Sequence, residues 1–221
     1  GAGLSSLVDR DGNDWIGFHP AVGSRARGEF RGFPNAVHQQ AGSYFHPRNQ
    51  GTGASSTKVE LSGPDRVSIS AVSDNGLWTC RFDFHPTHCS FTMTGMPPDK
   101  KYWVLYEGTP GGSYDADDWW MASGDDQPRT LDTRHEADLP APEWIAFGDG
   151  KLKRALLLVH HEDDSHPDWH YGMDSQMTVF GFGRKGLTKY LETTPQTFSV
   201  AFVDSRAYSD LAAAAKKILE Q

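Results

Sequence analysis

From Val67 to Met93 the chain reads VSISAVSDNGLWTCRFDFHPTHCSFTM. This stretch constrains the fold more than any other, because its side chains alternate in character across two bends. Asn75-Gly76 is a two-residue hairpin signal, since both positions accept positive φ. If Asp74 pairs with Leu77, Ala71 lies opposite Cys80, Ile69 opposite Phe82 and Val67 opposite Phe84. A second bend at His85-Pro86-Thr87-His88 sets Phe84 against Cys89, Phe82 against Phe91 and Cys80 against Met93. Strand side chains point alternately to opposite faces. One face therefore carries Val67, Ile69, Ala71, Cys80, Phe82, Phe84, Cys89, Phe91 and Met93, all apolar. The other carries Ser68, Ser70, Arg81, Asp83, His85, His88, Ser90 and Thr92. A slip of one residue would exchange the two sets, so the pattern fixes the register. In that register Cys80 and Cys89 lie too far apart along the sheet for a disulfide. Two buried free thiols are the expectation, and a disulfide is the alternative.

Short β-branched and aromatic runs recur along the rest of the chain, separated by turns rich in the 23 glycines and 13 prolines. They include RGEFRGF, AGSYFHP, STKVELS, YWVLYEG, EWIAFGD, RALLLVHH, MTVFGFGR and QTFSVAFVD. QPRTLDTRHEADLPAPE reads as a long surface loop. Only the end, SRAYSDLAAAAKKILEQ, has helical composition, and it predicts a helix over about 205–220 capped by Ser205 or Ser209. With 221 residues and no linker or internal repeat, residues 1–221 read as a single all-β domain. The architecture expected is an antiparallel two-sheet β-sandwich, jelly-roll-like, with one C-terminal α-helix.

The polar face of the three-stranded unit has two readings. It is either a solvated outer face, as most antiparallel sheets have, or the floor of a groove for a polar ligand. KYWVLYEG bears on this, because Trp103, Leu105 and Glu107 on one side and Tyr102, Val104 and Tyr106 on the other predict a strand covered on both faces. Trp119 and Trp120 follow in an acidic, glycine-rich segment that reads as a loop. They either cap the sandwich edge or form a stacking platform for sugar rings.

The segment from Arg25 to Gln50 has the most unusual polar content. Read as strand, Arg25, Arg27, Glu29 and Arg31 share a side, and so do Tyr44, His46 and Arg48. His38 and Gln40 continue that side if no bulge intervenes at Gly42. Tyrosine, histidine and arginine are the groups that β-elimination of a uronate requires. A cation offsets the carboxylate and acidifies the C5 proton, a base removes that proton, and an acid protonates the leaving oxygen. This reading makes His46 the base, Tyr44 the acid and Arg48 or Arg81 the carboxylate partner, with His85 beside them. Arg25, Arg27, His38, Gln40, Asp83, Trp103, Glu107, Trp119 and Trp120 are the expected substrate contacts. The bland alternative is an ordinary polar strand face. The arginines equally suit binding of acidic glycans without catalysis.

A second cluster, HHEDDSHPDWHY from His160, follows a continuous apolar strand. No cofactor is expected, but a divalent metal at His160, His161, Glu162 or His166 is an alternative. The spacing matches no helical ligand motif, and a solvated loop is the plainer reading. GFGRKG clusters glycines after a strand without a nucleotide-binding helix, so it reads weakly for phosphate.

The strands, the paired tryptophans and pieces such as VHQQAGSYFHP and YWVLYEGTPGG resemble secreted carbohydrate-active jelly-roll proteins, the small polysaccharide lyases in particular. The resemblance implies an extracytoplasmic or secreted mature form and a polysaccharide or oligosaccharide partner. The functions carried forward are a polysaccharide lyase, a noncatalytic carbohydrate-binding module, and a metal-dependent enzyme using the His160–His170 loop. A formal net charge of −8 argues against nucleic acid as partner, because phosphates repel an acidic surface. No apolar run reaches the length of a membrane span.

Overall fold

The computed structural model of the protein describes residues 1–38, 42–48 and 53–221. It is a two-sheet antiparallel β-sandwich. The larger, nine-stranded sheet has the order β1-β2-β3-β4-β15-β10-β9-β6-β7. Its strands are β1 (Ser55–Ser62), β2 (Val67–Ser73), β3 (Thr79–Phe84), β4 (Cys89–Gly95), β6 (Trp119–Ala122), β7 (Asp125–Thr130), β9 (Trp144–Gly148), β10 (Ala155–His160) and β15 (Gln196–Val203). The smaller sheet has the order β5-β12-β11-β8, from β5 (Val104–Gly108), β8 (His135–Ala137), β11 (Asp168–Met173) and β12 (Met177–Phe182). A short hairpin, β13 (Arg184–Lys185) and β14 (Thr188–Lys189), follows β12. The unequal split departs from the balanced eight strands of a jelly roll.

The alternation around the two bends forms as expected. Val67, Ile69 and Ala71 pair with Phe84, Phe82 and Cys80, and Phe84, Phe82 and Cys80 pair with Cys89, Phe91 and Met93. Their apolar face joins the central core, where Phe147 meets Phe180 across the sheets at 6.0 Å and Phe198 meets Phe182 at 5.5 Å. Both cysteines are free and buried. Burial holds the Cys80 thiol well above its ordinary range and pushes Cys89 up to about 12, so neither is a nucleophile.

The helix α1 (Tyr208–Leu219) covers the outer face of the larger sheet, where Leu211, Ala215 and Ile218 pack on Trp144, Leu157 and Val159. Its N-cap is Ala207, and the Ser205 hydroxyl accepts from the Ala207 amide instead of capping the helix itself. No helix among the described residues is long and apolar enough to cross a membrane.

Three local expectations are corrected. QPRTLDTRHEADLPAPE is no simple loop, since it contributes β7 and β8. Trp119 and Trp120 sit in β6, not in a loop, and both are buried. Trp119 packs beneath α1, while Trp120 lies beside His170 and donates its indole N–H to the Thr133 carbonyl, so neither is a platform for sugar rings. RGEFRGF and AGSYFHP form no strands. Arg25–Arg27 is a 3-10 turn, and the described part of the second run makes only an isolated bridge, Val37 to Tyr44. Arg25, Asn35 and Phe45 all have positive φ, a region that strand residues do not occupy.

Candidate functional site

β5 is buried along its whole length, as the two-faced apolar pattern requires. Val104 and Tyr106 face the core between the sheets. Leu105 and Glu107 face the other way, toward the N-terminal segment, which bridges to β5 through Gly32 and Glu107. Pairing carries these rows across the sheet: Glu107 to Val179 to Tyr171, and Leu105 to Gly181 to Trp169. Gly181 leaves a gap in this outer face. A Cβ there would stand 2.3 Å from Leu105 Cδ2 and 2.9 Å from Arg184 Cδ, so the missing side chain is what lets the Arg184 stem lie flat on the sheet.

Between this face and the N-terminal segment is a cavity of about 200 Å³, whose walls include His38, His46, Arg48, Trp103, Glu107 and Arg184. Five of these were expected site residues. Arg184 was not, nor were Asn35 and Tyr171, which also line it.

Arg184 dominates the electrostatics. It is 5% exposed, with its guanidinium 4.7 Å from the Trp103 ring, 4.7 Å from Trp169 and 5.7 Å from Tyr171. Its Nε donates to the Gly186 carbonyl at 3.0 Å, and Nη1 has no hydrogen-bond partner among the described residues. Lys189 lies directly opposite Arg184 in the hairpin register and is 8% exposed. Its ammonium sits 5.1 Å from the same Trp103 ring and donates to the His38 carbonyl. Burial brings its pKa down to about 8. Like charges directly opposite each other on a ladder are unfavourable, and among the described residues neither cation forms an ion pair. Two largely buried cations set against one indole are a costly arrangement without a close countercharge.

Glu107 is the neighbouring acid. Burial raises its pKa to about 7, against the opposing pull of Arg184 and of the hydrogen bond from Asn35. Asn35 Nδ2 donates to Glu107 Oε2 at 2.5 Å, the Asn35 carbonyl accepts from Trp103 Nε1 at 3.1 Å, and Asn35 Oδ1 is buried without a partner. His38 stacks on Trp103, with centroids 6.4 Å apart. Burial, reinforced by the charges of His46, Lys189 and Arg184, lowers it to about 4, so it is neutral at physiological pH. Perturbed titratable groups converging in one cavity are characteristic of functional sites.

The expected roles of Tyr44 and His46 are corrected. Phe45 has φ 58°, which resets the alternation, so Tyr44 and His46 do not share a face. Tyr44 is buried in the core, its hydroxyl bonded to Asp74, and burial pushes its pKa up to about 12. His46 does reach the cavity wall, but both ring nitrogens are engaged. Nδ1 accepts from the Arg48 amide at 3.1 Å, which leaves Nε2 to donate to the Phe30 carbonyl at 3.1 Å. It is a positioning group and not a free base. Arg48 Nη1 lies 3.6 Å from Glu29 Oε2.

Arg25 and Arg27 are exposed on their 3-10 turn, away from the cavity. Gln40 lies outside the described residues. Arg81 and Asp83 stand on the polar face of β3, paired at 2.6 Å. That face is satisfied within itself: Ser68 donates to Asp83, Ser90 meets Ser199 at 2.8 Å and Thr92 meets Thr197 at 3.1 Å. His85 stacks on His88 at the second bend, at a separate shallow depression. The groove expected there is replaced by the cavity on the other sheet.

The expected metal ligands do not converge as a set. His160 Nδ1 bonds Glu143 at 2.5 Å, His161 Nε2 bonds Ser199 at 2.8 Å, and His166 packs on Tyr190. His170 is buried between Trp120 and Phe147. The ligand-type atoms that do approach one another near this loop belong to Glu143, His160 and Asp164.

No family model and no curated protein matches this sequence. Among solved structures, that of HI1317 resembles this chain, with a TM-score of 0.61 and 10% sequence identity over 91% of this chain and 85% of that one. At that identity the likeness is one of fold.

Proposed function

We propose that the protein acts on an acidic polysaccharide or oligosaccharide, holding a uronate unit in the Trp103–Arg184 cavity and cleaving its chain by β-elimination. The observation that carries this reading is Arg184, buried against three aromatic rings with Nη1 unpartnered among the described residues. A carboxylate supplies the missing countercharge, and a sugar ring's C–H face suits the indole walls. The chemistry then falls to the groups around it. Arg184 offsets the carboxylate charge and makes the C5 proton more acidic. Glu107, with a pKa near neutrality, takes that proton in its ionised form. The electrons of the broken C5–H bond form the C4–C5 double bond as the C4–O bond breaks. Tyr171, which lines the cavity, protonates the departing oxygen. His38, neutral and stacked on Trp103, orients the ring.

Incubation with a panel of uronate polymers tests the proposal. The expected result is ultraviolet absorbance from unsaturated uronate ends, abolished in Glu107→Gln. Absence of unsaturated product from every polymer overturns the lyase reading. The separation of Tyr44 from His46 favours the second reading, a noncatalytic binding module in the same cavity. Saturable binding without product is the outcome that selects it. An extracytoplasmic location belongs to the proposal in either form.

A further inference from the structure

Beside the hairpin tip lies a second cavity, of about 400 Å³, walled by Trp78, Lys100, Lys101, Leu187, Thr188 and Lys189, with Asp99 at its edge. Leu187 is common to both cavities. Its side chain stands exposed at the tip, where Gly186 at φ 59° turns the hairpin. The two cavities are thus adjacent compartments divided by one apolar side chain. The cations divide the same way: Arg184 lines the first, while its cross-strand partner Lys189 lines the second.

The second cavity is lined by a largely buried cation, Lys189, with donors to spare. Trp78, 1% exposed, forms an apolar wall, its indole N–H closed off from the cavity and without a partner among the described residues. Lys189 spends one of its three ammonium donors on the His38 carbonyl, which leaves two. Lys100 and Lys101 are held only by exposed pairs, to Asp99 at 3.1 Å and Glu192 at 2.6 Å. Such pairs are weak and yield readily to a ligand carboxylate.

We infer that the cavities flanking the hairpin are adjoining subsites for one anionic saccharide chain, with a charged unit on each side of Leu187. The ligand is then an oligomer and not a single sugar. The inference rests on the proposed acidic-saccharide reading and narrows its substrate class. In this arrangement the lysines meet the carboxylate of the unit next to the one on Arg184.

Calorimetric titration with galacturonate, glucuronate and mannuronate, each as monomer, dimer and trimer, tests this. The dimer of the recognised sugar is expected to bind about tenfold tighter than its monomer, the gain of one additional charge-assisted contact. The substitutions Lys100→Gln and Lys101→Gln together should remove most of that gain, leaving only the part that Lys189 supplies. Both residues are about half exposed, so the variant folds. Equal affinity of monomer and dimer overturns the second subsite while leaving the first standing. An equal gain from monomer to dimer in the double variant also overturns it. Absence of binding to every uronate, monomers included, instead removes the underlying acidic-saccharide reading.

Discussion

Arg184 and Lys189 share one indole and one hairpin, and each makes a prediction through its neighbours legible. Glu107 holds its proton up to about pH 7 in the folded protein, whereas an ordinary carboxyl ionises near 4.5. Between those values the folded state binds the extra proton, so stability is full below 4.5 and falls as pH rises toward 7. Glu107→Gln removes that loss. Thermal melts from pH 4.5 to 8 should show the variant gaining on the wild type across this window, by on the order of 3 kcal/mol at the top. Lys189 runs the other way in charge. Its pKa of about 8 means that its countercharge for an anion disappears as pH rises through 8. Uronate affinity should fall more steeply between pH 7 and 9 in the wild type than in Lys189→Arg, where only the ionisation of Glu107 remains to weaken it, read by calorimetry. The sequence made Trp103, Glu107, His38 and Arg48 visible, because unusual polar and aromatic types stood out in short segments. Arg184 in GFGRKG and Lys189 in the LTKY that follows were invisible, because basic residues near glycines and turns look solvated. Only tertiary packing reveals that they are buried.

At the level of elements, what could be read depended on backbone conformation. β2, β3 and β4 contain no positive-φ residue and stay in register from Cys80 to Phe84, so a period of two translated directly into faces and register. The segment 25–48 has the same residue types but visits positive φ at Arg25, Asn35 and Phe45, and each such residue breaks the period. That is why Tyr44 leaves the site while His46 stays. β12 offers the direct test. Gly181 has an ordinary strand neighbourhood, yet a Cβ there meets Leu105 at 2.3 Å and the Arg184 stem at 2.9 Å. Gly181→Ala should cost about 1–3 kcal/mol of stability by overpacking, measured in urea. It should also weaken uronate binding by displacing the guanidinium. Unchanged binding would mean that Arg184 is not placed by this gap.

Taken whole, the molecule is layered as helix, large sheet, core and small sheet, with the N-terminal segment filling core beside β4 through Phe33 and Phe45 and reaching over the small sheet's outer face at Ala26 and Phe30. The sandwich was legible from strand count and alternation, but not which outer face carries the site. The large sheet's polar face satisfies its own hydroxyls and carboxylate, while the small sheet's outer face is apolar, roofed and left with unpaired cations. Two sheets with similar-looking sequences are told apart only when long-range pairing joins β5 to β12 and leaves β4 to β15. The central claim is that the cavity beside Trp103 is built for a negative charge. Calorimetry at pH 7 on a uronate oligosaccharide and the same oligosaccharide with its carboxyls reduced to alcohols tests it most directly. The acid form should bind about a hundredfold tighter, with the difference lost in Arg184→Met. Equal affinities for the acidic and the reduced oligosaccharide would contradict it.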